Sequence, residues 1–329
     1  MSGLKVFAPA SVANVAAGYD ILGFALEKPG DEIIVKFCNS PGLKITKITG
    51  VPGNIKIPLE IEKNTAGFAA QRLLEHLGEE KRGIEMEIHK KMPFGSGLGS
   101  SAASAAAGVM AINELLRRPL TKRELLPFAV LGEQIADGAY HADNVAPSLL
   151  GGMIFIRDNA TLDVHRIHVM NGIYAVVVHP NIKVMTRDAR NILSDTVSLK
   201  KTIEQTGNLG GLILGLMNSD LGLIKRSLRD VIIEPQRAQL IPHFHEVQEA
   251  ALNAGALGCS ISGAGPSIFA LCGNSLEAEN AGEAMQKVFS DNNIDNTLYI
   301  SPINQQGACL LYTSPSPRDQ RGSRMPSSA

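Results

Sequence analysis

Residues 93–103 constrain this chain more than any other segment: Pro93-Phe94-Gly95-Ser96-Gly97-Leu98-Gly99-Ser100-Ser101-Ala102-Ala103. Glycine at alternate positions removes side-chain bulk, so backbone N–H groups can approach an anion closely. The alanine-rich run that follows reads as a helix, whose partly positive N-terminus would face the same point. Ser100 and Ser101 stand where a helix N-cap or a hydroxyl ligand for Mg²⁺ is wanted. The loop is not of the G-x-x-x-x-G-K-[ST] type, because it holds no lysine. Phosphate charge there must be met by amides, a helix dipole and a metal ion. A plain Gly/Ser connector shares the composition, but a linker rarely runs straight into Ala-Ala-Ser-Ala-Ala-Ala.

The rest of the composition narrows the field. With 329 residues the chain suits one large or two medium domains. A net charge of −1 gives no general field for nucleic acid or an anionic membrane, so an anionic ligand must be held locally. Trp is absent, which argues against base-stacking platforms and nucleic-acid binding. The N-terminus has no long apolar segment of the secretory kind. No run approaches the ~20 apolar residues needed to span a bilayer, so no membrane partner is expected. Cys38, Cys259, Cys272 and Cys309 form neither a C-x-x-C pair nor a regular framework. They read as small buried hydrophobes in a reducing compartment, and the expected location is cytoplasmic.

Residues 4–8 and 32–37 read as strands from their β-branched content. Residues 64–77 have helical spacing, with Asn64 placed to cap and Gly78 to end the helix. Residues 85–90 alternate as a half-buried strand leading into the glycine loop. Thr121 and Glu124 make a capping box for the next helix, which runs to Asp137-Gly138 with Pro127 inside it. Residues 151–156 and 173–178 read as buried strands. A composition shift near 160–170 is the expected domain seam. Beyond it come a glycine-rich helical stretch at 208–230, helices at 243–254 and 276–290, and a strand–turn–strand across 256–272. The whole reads as α+β. From Cys309 the chain is rich in Ser, Pro and Arg, so residues 309–329 are expected to be disordered and possibly not native coding sequence.

Three segments in order resemble the GHMP small-molecule kinases: Pro9–Gly23 (PASVANVAAGYDILG), the loop at 93–103, and Ser262-Gly263-Ala264-Gly265-Pro266-Ser267. Within that family the homoserine kinase branch is the most similar. Its pattern of a glutamate followed by His-x-Asp-Asn-x-Ala-Pro matches Glu133 and His141–Pro147. Thr186–Arg190 and Glu234–Arg237 resemble its two substrate-arginine segments, with Met185 and Phe94 as departures. The resemblance covers residues 4–308. It implies a two-domain α+β fold: a ribosomal protein S5 domain 2-like N-terminal domain (1–165) and a ferredoxin-like C-terminal domain (166–308). It also implies ATP and Mg²⁺ as cofactors, and a homodimer.

The implied activity is ATP-dependent phosphorylation of L-homoserine to O-phospho-L-homoserine, in threonine biosynthesis. Asn64, Pro93, Gly95, Ser96, Gly97, Leu98, Gly99, Ser100, Ser101, Ala102, Ala103, Gly263 and Gly265 would bind the nucleotide. Ser101 (or Ser100) and Glu133 would hold the metal and take part in catalysis. Asn14, Asp20, Asn144, Thr186, Arg190 and Arg237 would bind the amino acid, with Asn144 at the reacting hydroxyl. Taken singly, Glu133 reads as a solvated carboxylate, each arginine as a surface charge, Asn14 and Asp20 as turn residues, and Asn64 as a cap. Asn144 cannot accept a proton, which points to catalysis by alignment, and Asp143 is the one local candidate base. Two alternatives remain at this stage: a kinase for another small alcohol, and a sensor of the same fold that binds ATP without turnover.

Overall fold

The computed structural model describes residues 3–51, 55–138, 140–184 and 186–311. Met185 and the tail from 312 onward lie outside the described residues. The first half runs β1 (Leu4–Ala13), β2 (Leu22–Phe37), β3 (Leu43–Thr49), α1 (Thr65–His76), β4 (Ile84–His89), α2 (Ser100–Leu115), α3 (Lys122–Asp137), α4 (Val145–Leu150), β5 (Met153–Asp158) and β6 (Asp163–Ile167). The second runs β7 (Tyr174–Pro180), α5 (Thr186–Asn191), α6 (Leu199–Asn218), α7 (Leu221–Ser227), α8 (Glu234–Arg237), α9 (Phe244–Asn253), β8 (Gly258–Ile261), β9 (Ile268–Cys272), α10 (Ser275–Asp291), β10 (Asn296–Pro302) and β11 (Cys309–Leu311).

Two sheets result. The first has the order β11-β1-β2-β4-β3, with β5 joined to β2 and β6 to β5. The second is a four-stranded antiparallel sheet, β10-β7-β9-β8. With α9 before β8 and α10 between β9 and β10, its chain order is that of a ferredoxin-like unit. Phe24 of β2 and Phe269 of β9 meet edge to face, centroids 6.0 Å apart, so the sheets share a core.

Helix α2 is the axis of the first half. Every residue from Ala102 to Glu114 is buried, as expected for a helix packed all round rather than on one face. Small residues allow that packing: a Cβ at Gly108 would stand 2.7 Å from the Ala66 carbonyl oxygen of α1. The Thr121–Glu124 capping box is formed at the start of α3, and Gly138 ends it in the left-handed region.

Several elements extend past the sequence expectation. β1 continues through Pro9–Ala13, and β2 runs unbroken through Pro29 and Gly30. Gly30 is required there, since a Cβ would lie 2.4 Å from the Ala8 carbonyl oxygen across the ladder. The seam expected at 165/166 falls inside β6, which is paired with β5 in the first sheet. Residues 309–311, expected to begin a disordered tail, instead form β11 beside β1. Their apolar side chains (Cys309, Leu310, Leu311) complete the edge of that sheet. The first sheet is thus closed by the far end of the described chain.

Candidate active site

The glycine loop adopts left-handed backbone at Gly95, Gly97 and Gly99, with φ of 66°, 76° and 65°. Two of these positions also lack room for a side chain. A Cβ at Gly97 would lie 2.4 Å from the Ser262 carbonyl oxygen, and one at Gly99 would lie 2.3 Å from Ser11 Oγ. Gly95 has open space beside it. Gly99, not Ser100, is the N-cap of α2, and no side chain caps the first turn. The amides of Ser100, Ser101 and Ala102 therefore keep their donors for an anion.

The two serines point to different partners. Ser101 Oγ donates to Glu133 Oε1 at 2.7 Å, bringing two hard oxygen donors together at the head of α2. Ser100 Oγ donates inward to Asp31 Oδ2 at 3.2 Å. Asp31 is fully buried and ion-paired with Lys90, whose ammonium also donates to the Ser100 carbonyl (2.8 Å) and Ser104 Oγ (2.7 Å). All three Lys90 donors are thus engaged beneath the loop, leaving none for phosphate. Among the described residues no group of three or more His, Cys, Asp or Glu side chains could hold a metal ion. A cation at Ser101 and Glu133 would take its other ligands from phosphate and water, as Mg²⁺ commonly does.

The turn at 262–267 buttresses this loop. Ser262 Oγ donates to the Gly97 carbonyl at 2.7 Å, and the Ser267 amide donates to the Ser96 carbonyl at 3.2 Å. Gly263 is tied to the first half through its amide, which donates to the Ala13 carbonyl, and through its carbonyl, which accepts from Asn14 Nδ2 at 2.8 Å.

Residues 14–20 form the other wall. Asn14, Val15, Ala16 and Asp20 all have positive φ, at 72°, 40°, 59° and 60°. For valine and alanine this is strained backbone, concentrated in one loop and held by its surroundings. Asn14 holds it: its Oδ1 accepts from the Asp20 amide at 3.0 Å while its Nδ2 reaches Gly263. The strained loop presents Asp20 beside Arg190, with Oδ1 and Nη2 3.8 Å apart, and beside His141 Nδ1 at 3.7 Å. His141 thus stands between Asp20 and Arg190 (Nη1···Nε2 3.4 Å).

Arg237 is buried, 4% exposed. Its Nε donates to the Ala189 carbonyl (2.8 Å), Nη1 to the Gly263 carbonyl (3.1 Å) and Nη2 to Tyr19 Oη (3.2 Å). Its guanidinium also lies 5.0 Å from the Tyr19 ring centroid. Two N–H donors remain, one on each terminal nitrogen. Tyr19 was not singled out in the sequence, because a tyrosine in a turn carries no signal of an arginine 218 positions away.

Asn144 sits at the start of α4, where its Oδ1 accepts from Ser11 Oγ at 2.8 Å. That bond commits the carbonyl end of the amide, so Nδ2 is the end that can donate to a ligand. The neighbouring Asp143 carboxyl is buried and accepts from the Asn144 amide at 3.1 Å. Burial, reinforced by the Asp20 charge and opposed by Arg190, pushes it up to about 7. Asn64 caps α1, accepting from the Gly67 amide at 3.1 Å and donating to the Pro58 carbonyl at 2.9 Å. That is the structural of the two roles its sequence position allows. Thr186 begins α5, and Met185 beside it lies outside the described residues. A separate cavity of about 420 Å³, lined by Met110, Glu114, Lys122 and Cys309, lies at the opposite end of α2 from these groups.

Comparison with known proteins gives a consistent picture. Family models for the GHMP kinases N terminal domain and the GHMP kinases C terminal region match residues 64–152 and 212–291. A curated "Homoserine kinase" of Chlorobium phaeovibrioides is 47% identical over 94% of this chain and 100% of that one. One of Chlorobaculum tepidum is 44% identical over 95% and 100%. The crystal structure of homoserine kinase from Cytophaga hutchinsonii superposes with a TM-score of 0.92 at 50% identity, covering 94% of this chain and 98% of that one. A mevalonate kinase from L. major in complex with R-mevalonate superposes at 0.68 with 18% identity over 91% and 96%, a likeness of fold alone.

Proposed function

The chain belongs to the GHMP kinases, with their two-domain α+β fold, and from that membership we propose that it transfers the terminal phosphoryl group of ATP to the side-chain hydroxyl of L-homoserine. The product, O-phospho-L-homoserine, feeds threonine synthesis. The observation that carries the substrate is the pairing of Asp20, on the strained loop, with Arg190 of α5. An α-amino acid bears an ammonium and a carboxylate on the same carbon, so it needs opposite charges side by side. Asp20 takes the ammonium. Arg190 takes the carboxylate, with the two remaining donors of Arg237 behind it. Asn14 acts here mainly by holding Asp20 in place, and Thr186 stands one turn from Arg190 on α5.

Amides of Gly95–Ala103, with the N-terminus of α2, bind the phosphates, and Gly263 and Gly265 brace the loop from behind. Ser101 and Glu133 fit Mg²⁺, being two hard oxygens already 2.7 Å apart. When bound, that ion neutralises charge on the transferring phosphates. Asn144, its carbonyl committed to Ser11, donates through Nδ2 and orients the homoserine hydroxyl for in-line attack. The attacking oxygen keeps its proton until late, because Asn144 cannot take it and Asp143 is buried and engaged. The proton then passes to phosphate or water.

A coupled ADP-release assay with homoserine, serine, mevalonate and galactose in parallel tests this reading. Turnover on homoserine alone is expected; turnover only on an alcohol without an amino acid group would overturn the substrate. A sensor without turnover is disfavoured by the intact Ser101–Glu133 pair, and the same assay decides it. No helix among the described residues is long and apolar enough to cross a membrane. A cytoplasmic setting belongs to this proposal and accords with four free thiols. So does a homodimer.

A further inference from the structure

Helix α6 carries two apolar faces. One is buried in the molecule through Gln205, Leu212, Gly215 and Leu216. The other consists of Leu199, Ile203, Gly207, Gly210, Leu214 and Met217, all exposed. At 100° per residue these six fall within an arc of about 80°, directly opposite the buried set. Among the described residues, five of the eleven exposed large hydrophobics lie on this helix or its lead-in: Val197, Leu199, Ile203, Leu214 and Met217. Exposed apolar side chains are ordinary when scattered, but here they are aligned.

The glycines sharpen the point. A glycine inside a helix costs about 1 kcal/mol relative to alanine. Gly207 and Gly210 gain nothing for it from the described residues, since a Cβ at either would meet none of their atoms within 4 Å. They flatten the middle of the stripe, which is what close approach of another helix requires.

The pattern is also symmetric about its own midpoint. Laid antiparallel on a copy of itself, the helix puts Ile203 level with Leu214, Gly207 level with Gly210, and Leu199 beside Met217. Self-complementarity of this kind is what a two-fold interface demands and a foreign partner does not. Charge selects the same direction. The antiparallel arrangement brings Lys200 to the C-terminal end of the opposing helix, where exposed carbonyls and Asp220 are negative. A parallel one would set Lys200 against Lys200.

We propose that the exposed face of α6 is the contact between two copies of this chain, packed antiparallel across a two-fold axis between Gly207 and Gly210. The inference gives a contact face to the homodimer included in the proposed function, but it is argued from this surface alone and does not rest on the kinase activity.

Light scattering and sedimentation of the full chain test it. The wild type should be a dimer at concentrations on the order of 10 µM, and Ile203→Glu/Leu214→Glu should weaken association at least roughly a hundredfold, leaving a monomer with unchanged circular dichroism. A monomeric wild type, or a double variant that stays dimeric, would overturn the proposal. Should the charged variant fail to fold, cysteine pairs decide. Ile203→Cys/Leu214→Cys should form disulfide-linked dimers on mild oxidation. Ile203→Cys alone should not, because its two copies stand about 16 Å apart along the axis. Cross-linking no greater than wild type in the double-cysteine variant would contradict the register.

Discussion

Ser101 Oγ donates to Glu133 Oε1 at 2.7 Å, joining the first turn of α2 to α3 beside the glycine loop. Ser101 is not needed as a cap or as an inward anchor: Gly99 already caps α2, and Ser100 supplies the bond to Asp31. The pair is placed to hold a cation against the phosphates. Glu133→Gln keeps the size and the hydrogen bond but removes the charge. It should lower kcat by roughly 10²–10³-fold, about 2.7–4 kcal/mol of transition-state stabilisation, with the melting temperature nearly unchanged. Its activity should also require more Mg²⁺, so kcat and half-saturating Mg²⁺ are the quantities to measure.

The two arginines should separate by readout. Arg190 is partly exposed and faces Asp20, whereas Arg237 is buried and ties α5, the 262–267 turn and Tyr19 together. Arg190→Ala should raise KM for homoserine with little effect on stability. Arg237→Ala should raise KM as well, and also destabilise the fold by about 2–4 kcal/mol, since it strips the donor from the buried Ala189 carbonyl and from the Tyr19 hydroxyl and leaves the Gly263 carbonyl with Asn14 alone. Thermal unfolding alongside steady-state kinetics distinguishes the two.

Ser11 and Asn144 make a finer prediction. The Ser11 hydroxyl fixes which end of the Asn144 amide faces the substrate. Ser11→Ala should lower kcat roughly tenfold at nearly constant homoserine KM, the signature of lost orientation. Asn144→Ala should lower it further, and the double variant should match Asn144→Ala alone. Additive losses in a double-mutant cycle would show that Ser11 does not act through Asn144.

Glu234 gives a pH signature independent of turnover. Burial raises its carboxyl from the ordinary 4.5 to about 7. The folded state then holds a proton that the unfolded chain has released, so this site's contribution to stability is greatest below about pH 4.5 and falls as pH rises to about 7. The loss at this site is on the order of 3 kcal/mol. Glu234→Gln, which keeps the contact with Gln248 Nε2, should make that slope shallower in unfolding free energies measured between about pH 5 and 8, leaving the share that the buried Asp143 carboxyl contributes. An unchanged slope would assign the titration elsewhere.

What the sequence disclosed follows the range of its signals. The glycine loop, the α3 capping box and the strand–turn–strand at 256–272 are written in neighbouring residues, and all three form. Ser101 and Glu133 were nameable through a motif, though their contact spans 32 positions. The Asp31–Lys90 pair beneath the loop was not, because two charges 59 residues apart read as two surface charges. The strained backbone at Val15 and Ala16 left no trace either, since neither residue type favours left-handed φ and tertiary contacts impose it. Pro29 and Gly30 hid the middle of β2. β11 hid in the polar composition that follows it.

The central claim is that backbone amides of the 95–101 bend, rather than any basic side chain, hold the nucleotide. Gly95 isolates it: a side chain there meets nothing within 4 Å, yet its φ of 66° excludes a β-branched residue. Gly95→Val should therefore turn the local amides away while leaving the packed loop at Gly97 and Gly99 intact. Calorimetric titration with ATP and Mg²⁺ is the measurement. The account predicts at least a roughly tenfold rise in Kd with an unchanged melting temperature. Wild-type affinity in a folded Gly95→Val protein would contradict it.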